Sequence, residues 1–209
     1  MRVLGVDPGT VATGWGVVDS DGRRTVRVAS GVIRGHGGLA ERLACVCDEI
    51  ARVLAAYRPA CVSLEKSFVG ANVQSAFRLG EARGAILVSA ARAGVPVAEY
   101  SPAQIKMAVA GHGRAGKAQM QAMVGRLLGV ESRLATDEAD ALGAALCHVQ
   151  LGAFADRFGS VTPRSGGRRA ARSAWTRHVE TLASDTTASA PSPVGRALVR
   201  VPRRRMGRA

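Results

Sequence analysis

Val3-Leu4-Gly5-Val6-Asp7-Pro8-Gly9 is the stretch of sequence that decides the fold. Its apolar run predicts a buried β-strand that ends in a carboxylate, and the Pro-Gly pair predicts a turn directly afterwards. A second run, Cys61-Val62-Ser63-Leu64, ends in the same way, at Glu65. A charge at the end of a buried strand is costly unless it is paired or binds a metal. The two runs therefore predict a sheet with an acidic centre at its edge.

Strand and helix patterns alternate along the segments around these two runs. Strands are predicted over residues 2–7, 13–19, 25–33, 60–65 and 95–100, with turns at Pro8-Gly9 and Asp21-Gly22. Apolar spacing of three and four residues predicts helices over about 39–57, 73–93, 102–110, 116–128 and 137–151. Three hairpin-connected strands followed by alternating helices and strands predict an α/β fold, a mixed five-stranded sheet flanked by helices.

The charge is unevenly distributed along the 209 residues, which carry a net charge of +13. Residues 1–155 hold 17 basic and 13 acidic side chains, a net of +4, and have the apolar content of one core. Residues 156–209 hold 12 basic and 3 acidic side chains, a net of +9, among Pro, Ser, Thr and Ala. The sequence therefore predicts one folded domain over 1–155 and an Arg-rich, disordered tail over 156–209.

Several classes of protein are disfavoured by the composition. The chain has no apolar run of the length that a membrane-spanning helix needs. The first twenty residues include Arg2, Asp7 and Asp19 and predict a strand, not a signal peptide. The four cysteines lack metal-ligand spacing and are expected to be buried, reduced thiols of a cytoplasmic protein: Cys45, Cys47, Cys61 and Cys147.

A second acidic pair, Asp137 and Asp140, begins the last predicted helix. Residues three apart share one helix face, which can turn toward the ends of the strands. Hydrolysis of a phosphodiester needs an activated water and neutralised phosphate charge, which two divalent cations roughly 4 Å apart can supply. Mg²⁺ prefers carboxylate oxygens. Together with Asp7 and Glu65, the pair predicts a two-metal nuclease centre in a basic chain.

Each acidic group also has a structural explanation when taken alone. Asp137 and Asp140 would stabilise a helix N-terminus through the helix dipole, with Thr136 as the cap. Glu65 would form a salt bridge at the end of its strand. The coincidence of all four favours the metal centre.

The motifs resemble those of the RuvC family of Holliday-junction resolvases, in the family's order and approximate spacing. The resemblance covers residues 1 to about 152. Its blocks are Leu4-Gly5-Val6-Asp7-Pro8-Gly9-Thr10 with Thr13-Gly14-Trp15-Gly16, Leu64-Glu65-Lys66-Ser67-Phe68 with Asn72 and Leu79-Gly80-Glu81-Ala82-Arg83-Gly84, and Asp137-Glu138-Ala139-Asp140-Ala141-Leu142. The first block alone has low specificity, because actin-like ATPases carry similar turns.

The resemblance implies a ribonuclease-H-like fold and a homodimeric crossover junction endodeoxyribonuclease of recombination and DNA repair. It implies symmetric hydrolysis of two strands of four-way junction DNA, which leaves ligatable nicks, and a RuvA-RuvB branch-migration complex as partner. Two Mg²⁺ ions per active site are implied, with Mn²⁺ as an alternative ion. The implied metal-binding catalytic residues are Asp7, Glu65, Asp137 and Asp140.

Three further residues match the family's DNA-binding positions. Phe68 corresponds to an aromatic residue that stacks against bases at the opened crossover, and Lys106 and Lys117 correspond to basic residues near the cleaved phosphate. The residues alone favour a Phe68 that folds back onto the core and two lysines that are ordinary solvated side chains. The tail extends about fifty residues beyond the family pattern and has no implied role.

Two other functions are compatible with parts of the sequence. An actin-like nucleotide-hydrolysing domain would use the Asp7-Pro8-Gly9-Thr10 turn to hold a phosphate, but that architecture needs two lobes and this chain has length for one. A non-enzymatic DNA-binding module would explain the basic tail, but it gives no reason for four converging carboxylates.

Overall fold

The computed structural model describes residues 1–66, 73–130 and 134–158. These residues form β1 (Arg2–Asp7), β2 (Ala12–Ser20), β3 (Thr25–Arg34), α1 (Leu39–Tyr57), β4 (Cys61–Glu65), α2 (Val73–Arg92), β5 (Val97–Tyr100), α3 (Pro102–Ala110), α4 (Lys117–Leu128) and α5 (Thr136–Phe158). The predicted order of elements is confirmed. The strand predicted over 95–100 begins only at Val97, and the last helix continues past residue 151. The predicted tail lies outside the described residues apart from its first three positions.

The five strands form one mixed sheet in the order β3-β2-β1-β4-β5. The pairs β1–β2 and β2–β3 are antiparallel, and the pairs β1–β4 and β4–β5 are parallel. The β2–β3 turn forms at the predicted Asp21-Gly22, where the Asp21 carboxylate accepts the backbone N–H groups of Arg23 and Arg24 at 2.8 and 2.7 Å. Gly22 has φ of 88°, which a residue without a side chain adopts at little cost.

Alternation along the strands divides the core into two layers. One face of the sheet packs against α1 and α2 through Leu4, Val6, Val17, Val62 and Leu64, all completely buried. On the other face, Val3 and Val18 pack against the apolar sides of α3, α4 and α5. The helices therefore cover both faces of the sheet, as the sequence predicts.

Glycines on the second face let α5 lie directly against the backbone of the sheet. A Cβ atom at Gly5 would lie 1.9 Å from the carbonyl oxygen of Ala141 and 2.8 Å from the amide nitrogen of Ala145. A Cβ atom at Gly14 would lie 1.9 Å from the carbonyl oxygen of Asp137. Real atoms cannot approach so closely. The glycines of β1 and β2 thus fix how near α5 comes to the strands.

Two hydrogen bonds hold α5 to the parallel strands. The buried Ser63 hydroxyl donates to the Ala144 carbonyl at 2.7 Å. The Tyr100 hydroxyl lies 2.7 Å from His148 Nδ1. Burial raises the pKa of Tyr100 to about 12 and lowers the pKa of His148, so at neutral pH the tyrosine donates to a neutral imidazole.

His148, Trp15 and the four cysteines are buried to different degrees. His148 of α5 is partly buried, with its Nδ1 beside the Tyr100 hydroxyl of β5. Trp15 is partly buried beside the α1–α2 layer, with its ring centroid 6.1 Å from that of Tyr57. All four cysteines are free thiols, but only Cys61 and Cys147 are buried.

Within the described ranges, no helix combines the length and apolarity that crossing a bilayer requires.

Replacing Gly5 with alanine should strongly destabilise the fold, because the new methyl group would push α5 away from β1. Overpacking of this kind costs about 1–3 kcal/mol or more in the free energy of unfolding. The control is Gly125→Ala in α4, where the nearest atom to a Cβ is 3.5 Å away and helix propensity favours alanine. Urea denaturation measures both variants, and equal stability of the two would contradict the role of close approach.

Candidate active site

The sheet brings Asp7 and Glu65 together at one edge. Val6 pairs with Leu64 in the parallel β1–β4 ladder, so the next residue of each strand lies at the same end of the sheet. Asp7 is also paired with Gly14 of β2, against which the backbone of Asp137 packs. The two strand ends and the first turn of α5 therefore meet.

Charge repulsion shows that the four carboxylates share one site. The pKa of Asp7 is raised from 3.8 to about 7. Burial is the largest cause, followed by the negative charges of Asp140, Glu65 and Asp137. The pKa of Asp140 is raised mainly by burial, with Asp137 adding to the effect. Sequence analysis predicted this convergence from the strand ends and the helix spacing.

Two lysines offset part of this negative charge. Lys106 on α3 and Lys117 at the start of α4 both lower the pKa values of Glu65 and Asp140, although burial leaves both values raised. A cavity of about 220 Å³ is lined by these four side chains with Pro102, Ile105 and Met120. The lysines thus face the acidic centre across a space large enough for a phosphate group.

The chemistry of the donor set fits hard divalent cations. All four candidate ligands are carboxylates, and such ions take oxygen ligands. Among the residues that the structure describes, no three Asp, Glu, His or Cys side chains already form a metal-binding group. This agrees with the repulsion between the acids, and Mg²⁺ commonly takes only one or two carboxylates and completes its shell with water and substrate phosphate. The donor set therefore fits hard divalent cations such as Mg²⁺.

One predicted site residue stays a prediction, and one structural alternative is wrong. Phe68 lies outside the described residues. Thr136 was considered as the cap of the last helix, but it lies within the first turn of α5, and Glu138 instead accepts the backbone N–H of Ala135 at 3.2 Å.

Sequence analysis also missed Thr13, which closes the turn that follows Asp7. Its buried hydroxyl donates to the Gly9 carbonyl at 2.6 Å and accepts the Gly9 N–H at 3.3 Å. The strand pattern predicts where β2 runs, but it does not predict that the Thr13 hydroxyl binds the backbone of Gly9.

A mixed sheet in this order, covered by helices and carrying carboxylates at adjacent strand ends and on a crossing helix, defines a ribonuclease-H-like nuclease. The family model of the crossover junction endodeoxyribonuclease RuvC matches residues 3–148. The chain belongs to the RuvC family.

Curated relatives and solved structures agree with this assignment. The chain is 45% identical over 166 residues to the RuvC of Ralstonia nicotianae, a match that covers 78% of this chain and 92% of the relative. It is 52% identical over 149 residues to the RuvC of Halorhodospira halophila, with 70% and 89% covered. The structure of Thermus thermophilus RuvC in complex with Holliday junction substrate is 35% identical with a TM-score of 0.70, covering 74% of this chain and 96% of that one.

A more distant structure shares only the fold. The yeast mitochondrial Holliday junction resolvase Ydc2 is 11% identical with a TM-score of 0.55, covering 75% of this chain and 82% of that one.

Removing the charge of Asp7 should stabilise the metal-free protein in a pH-dependent way. A raised pKa means that the folded state binds the proton more tightly than the unfolded state, so stability is lost as pH rises from 3.8 to about 7. We expect Asp7→Asn to raise the free energy of unfolding by roughly 2–4 kcal/mol above pH 7, since one pKa unit corresponds to about 1.4 kcal/mol. The increase should become progressively smaller toward pH 4.

The measurement is the melting temperature in chelator from pH 5 to 8. Asp21→Asn is the matched control, because backbone hydrogen bonds from Arg24 and Arg23 hold the pKa of that carboxyl below its usual range. Its substitution should lower the melting temperature at neutral pH. If Asp7→Asn raised the melting temperature by the same amount at every pH, the electrostatic explanation would be contradicted.

Proposed function

We propose that this protein resolves Holliday junctions in recombination and DNA repair, by Mg²⁺-dependent hydrolysis of one phosphodiester in each of two symmetric strands. The products would be nicked duplexes that a ligase can seal. The observation that carries the proposal is the meeting of four carboxylates opposite two lysines at one edge of a ribonuclease-H-like sheet. Membership of the RuvC family supports the choice of a four-way junction as substrate.

Asp7, Glu65, Asp137 and Asp140 would hold the metal in this proposal. Two Mg²⁺ ions, or Mn²⁺ in their place, supply an activated water and neutralise charge on the phosphate and the leaving oxygen. Asp7 and Asp140 each interact electrostatically with all three other carboxylates. The raised pKa values also mean that bound cations would relieve repulsion that the fold itself creates.

Lys106 and Lys117 would bind the scissile phosphate. Lys117 is exposed and Lys106 partly buried, so both ammonium groups can reach a DNA backbone while they remain beside Glu65 and Asp140. Phosphate contacts of this kind position the substrate without reading its sequence. Phe68 is proposed from the family resemblance alone to stack on an unpaired base at the crossover.

A homodimer would allow two symmetric cuts. One face of α2 carries Phe77 and Val88, with 70% and 47% of their surfaces exposed. Gly80 and Gly84 lie between them at helical spacing, and a Cβ at either position would meet nothing within 4 Å. An apolar helix face with small central residues can approach a second copy of itself closely, so we place the dimer contact on α2.

The remaining assignments rest on the family. They are a cytoplasmic location and cooperation with a RuvA-RuvB branch-migration complex. The basic residues 156–209 are proposed to add non-specific affinity for DNA, because each neutralised phosphate contributes to salt-dependent binding.

The direct test is incubation of the protein with an end-labelled synthetic four-way junction, with Mg²⁺ or with chelator. We expect paired cuts at symmetric positions only with Mg²⁺, and products that DNA ligase reseals. A linear duplex of the same sequence is the control substrate. Cleavage that persists in chelator, or equal cleavage of the duplex, would contradict the proposal.

Substitution of the carboxylates should separate cutting from binding. Asp7→Asn, Glu65→Gln and Asp140→Asn should abolish cleavage, while junction affinity is kept or increased because negative charge near phosphate is removed. Asp137→Asn should also be severe. Cleavage is measured on the labelled junction and affinity by gel shift in Ca²⁺. The control is Asp21→Asn in the distant β2–β3 turn, and normal cutting by Asp7→Asn would refute the mechanism.

Charge on α2 should break the dimer. We expect Phe77→Asp combined with Val88→Asp to give a monomer, because two carboxylates would be buried unpaired at the contact. Analytical ultracentrifugation measures the mass. Leu127→Asp, at an apolar residue of α4 that is 40% exposed, is the control and should leave the mass unchanged. A dimer that survives the double substitution would place the contact elsewhere.

A further inference from the structure

Glu138, between the two acids of the last motif, turns away from the acidic centre. Its side chain is only 14% exposed and forms a salt bridge at 3.3 Å with Arg27 of β3. It also accepts a hydrogen bond from the Ser30 hydroxyl, which itself accepts from Arg27 at 3.0 Å. We call Arg27, Ser30 and Glu138 the β3–α5 clasp.

The clasp joins the edge strand of the sheet to the first turn of the helix that carries Asp137 and Asp140. Ser30 pairs with Gly16 and Arg27 pairs with Val18, so both clasp residues of β3 lie one strand beyond β2. The same carboxylate accepts the Ala135 N–H at 3.2 Å through its second oxygen. Glu138 therefore ties the helix start both to its own backbone and to β3.

The first turn of a helix is the part that most needs such a tie. Its N–H groups lack partners within the helix, and helix ends fray. Further along α5, Ser63 binds Ala144 and the Gly5 backbone lies against Ala141, so the middle of the helix is held by close packing. In the first turn, which carries Asp137 and leads to Asp140, the backbone of Asp137 lies against Gly14 of β2, and Glu138 adds the contact to β3. The positions of these two acids relative to Asp7 and Glu65 therefore depend on what holds the first turn.

We propose that Glu138 is a positioning residue for the metal-binding carboxylates. Through the clasp it fixes the first turn of α5 against β3, which holds Asp137 and Asp140 in place as cations bind among mutually repelling acids. The engagement of Glu138 with three donors also keeps a fifth carboxylate out of the metal site. This inference rests on the proposed function, because it presumes that Asp137 and Asp140 hold metal.

The test compares Glu138→Ala, Glu138→Gln and Ser30→Ala with the native protein. Junction cleavage is measured across a range of Mg²⁺ concentrations, to separate the half-saturating concentration from the rate at saturation. We expect Glu138→Ala to raise the half-saturating Mg²⁺ concentration about tenfold, as loss of a residue that orients metal ligands commonly does. The rate should recover at saturating Mg²⁺. Glu138→Gln, which keeps a hydrogen-bond acceptor, should show a smaller shift.

Two comparisons separate positioning from a merely structural role. Glu49→Ala removes a glutamate that is also paired with an arginine, Arg52 on α1, and should leave the Mg²⁺ dependence unchanged. Ser30→Ala with Glu138→Ala should shift the Mg²⁺ dependence no further than Glu138→Ala alone, because the residues act as a unit. A loss of rate that is equal at every Mg²⁺ concentration, or no change in half-saturation, would overturn the proposal.

A second readout does not depend on cleavage. Mg²⁺ should raise the melting temperature of the native protein without DNA, and Glu138→Ala should need a higher Mg²⁺ concentration for the same rise. If the native protein fails to cut the junction, the proposed function fails, while this measurement still decides about the clasp. An identical Mg²⁺ dependence of melting in Glu138→Ala and the native protein would overturn the clasp.

Discussion

The close approach of α5 to the sheet is the constraint on which the rest of the structure depends. Gly5 and Gly14 present bare backbone to the helix, and a single methyl group at either position would overlap a carbonyl oxygen of α5. Since no side chain separates the helix from the strands at these two positions, the start of α5 is brought next to the ends of β1 and β4. The carboxylates of three elements can then share one small volume.

That closeness has an electrostatic cost that the rest of the site only partly offsets. Burial and three neighbouring acids hold the pKa of Asp7 near 7, and Lys117 counteracts only part of this effect. A fold selected for stability alone would place a lysine or an apolar residue at the end of β1. Buried acids that repel one another are typical of a site that binds cations. Bound ions would supply the positive charge that the protein itself lacks there.

Much of this could be predicted from the sequence, because the signals are local. The apolar runs of β1 and β4, the Asp21-Gly22 turn and the apolar spacing of α1 each follow from neighbouring residues, and the structure confirms them. The convergence of Asp7 with Asp140 was also predictable, since strand ends and helix faces have fixed geometry. The orientation of Glu138 and His148 was not. Both side chains bind partners more than forty residues away, and no periodicity reports such a contact.

Different kinds of contact hold α5 to the sheet along its length. Its middle is held by glycine contacts and by the neutral bond from Ser63, and its later part by the neutral Tyr100–His148 pair. Packing and neutral hydrogen bonds respond little to a nearby charge. The first turn lies against Gly14, and it is also tied by an ion pair between Glu138 and Arg27, whose strength depends on local charge and on salt. Binding of cations beside Asp137 would therefore change the environment of the first turn while the remainder of the helix stays fixed, which confines any adjustment to the residues that meet the metal.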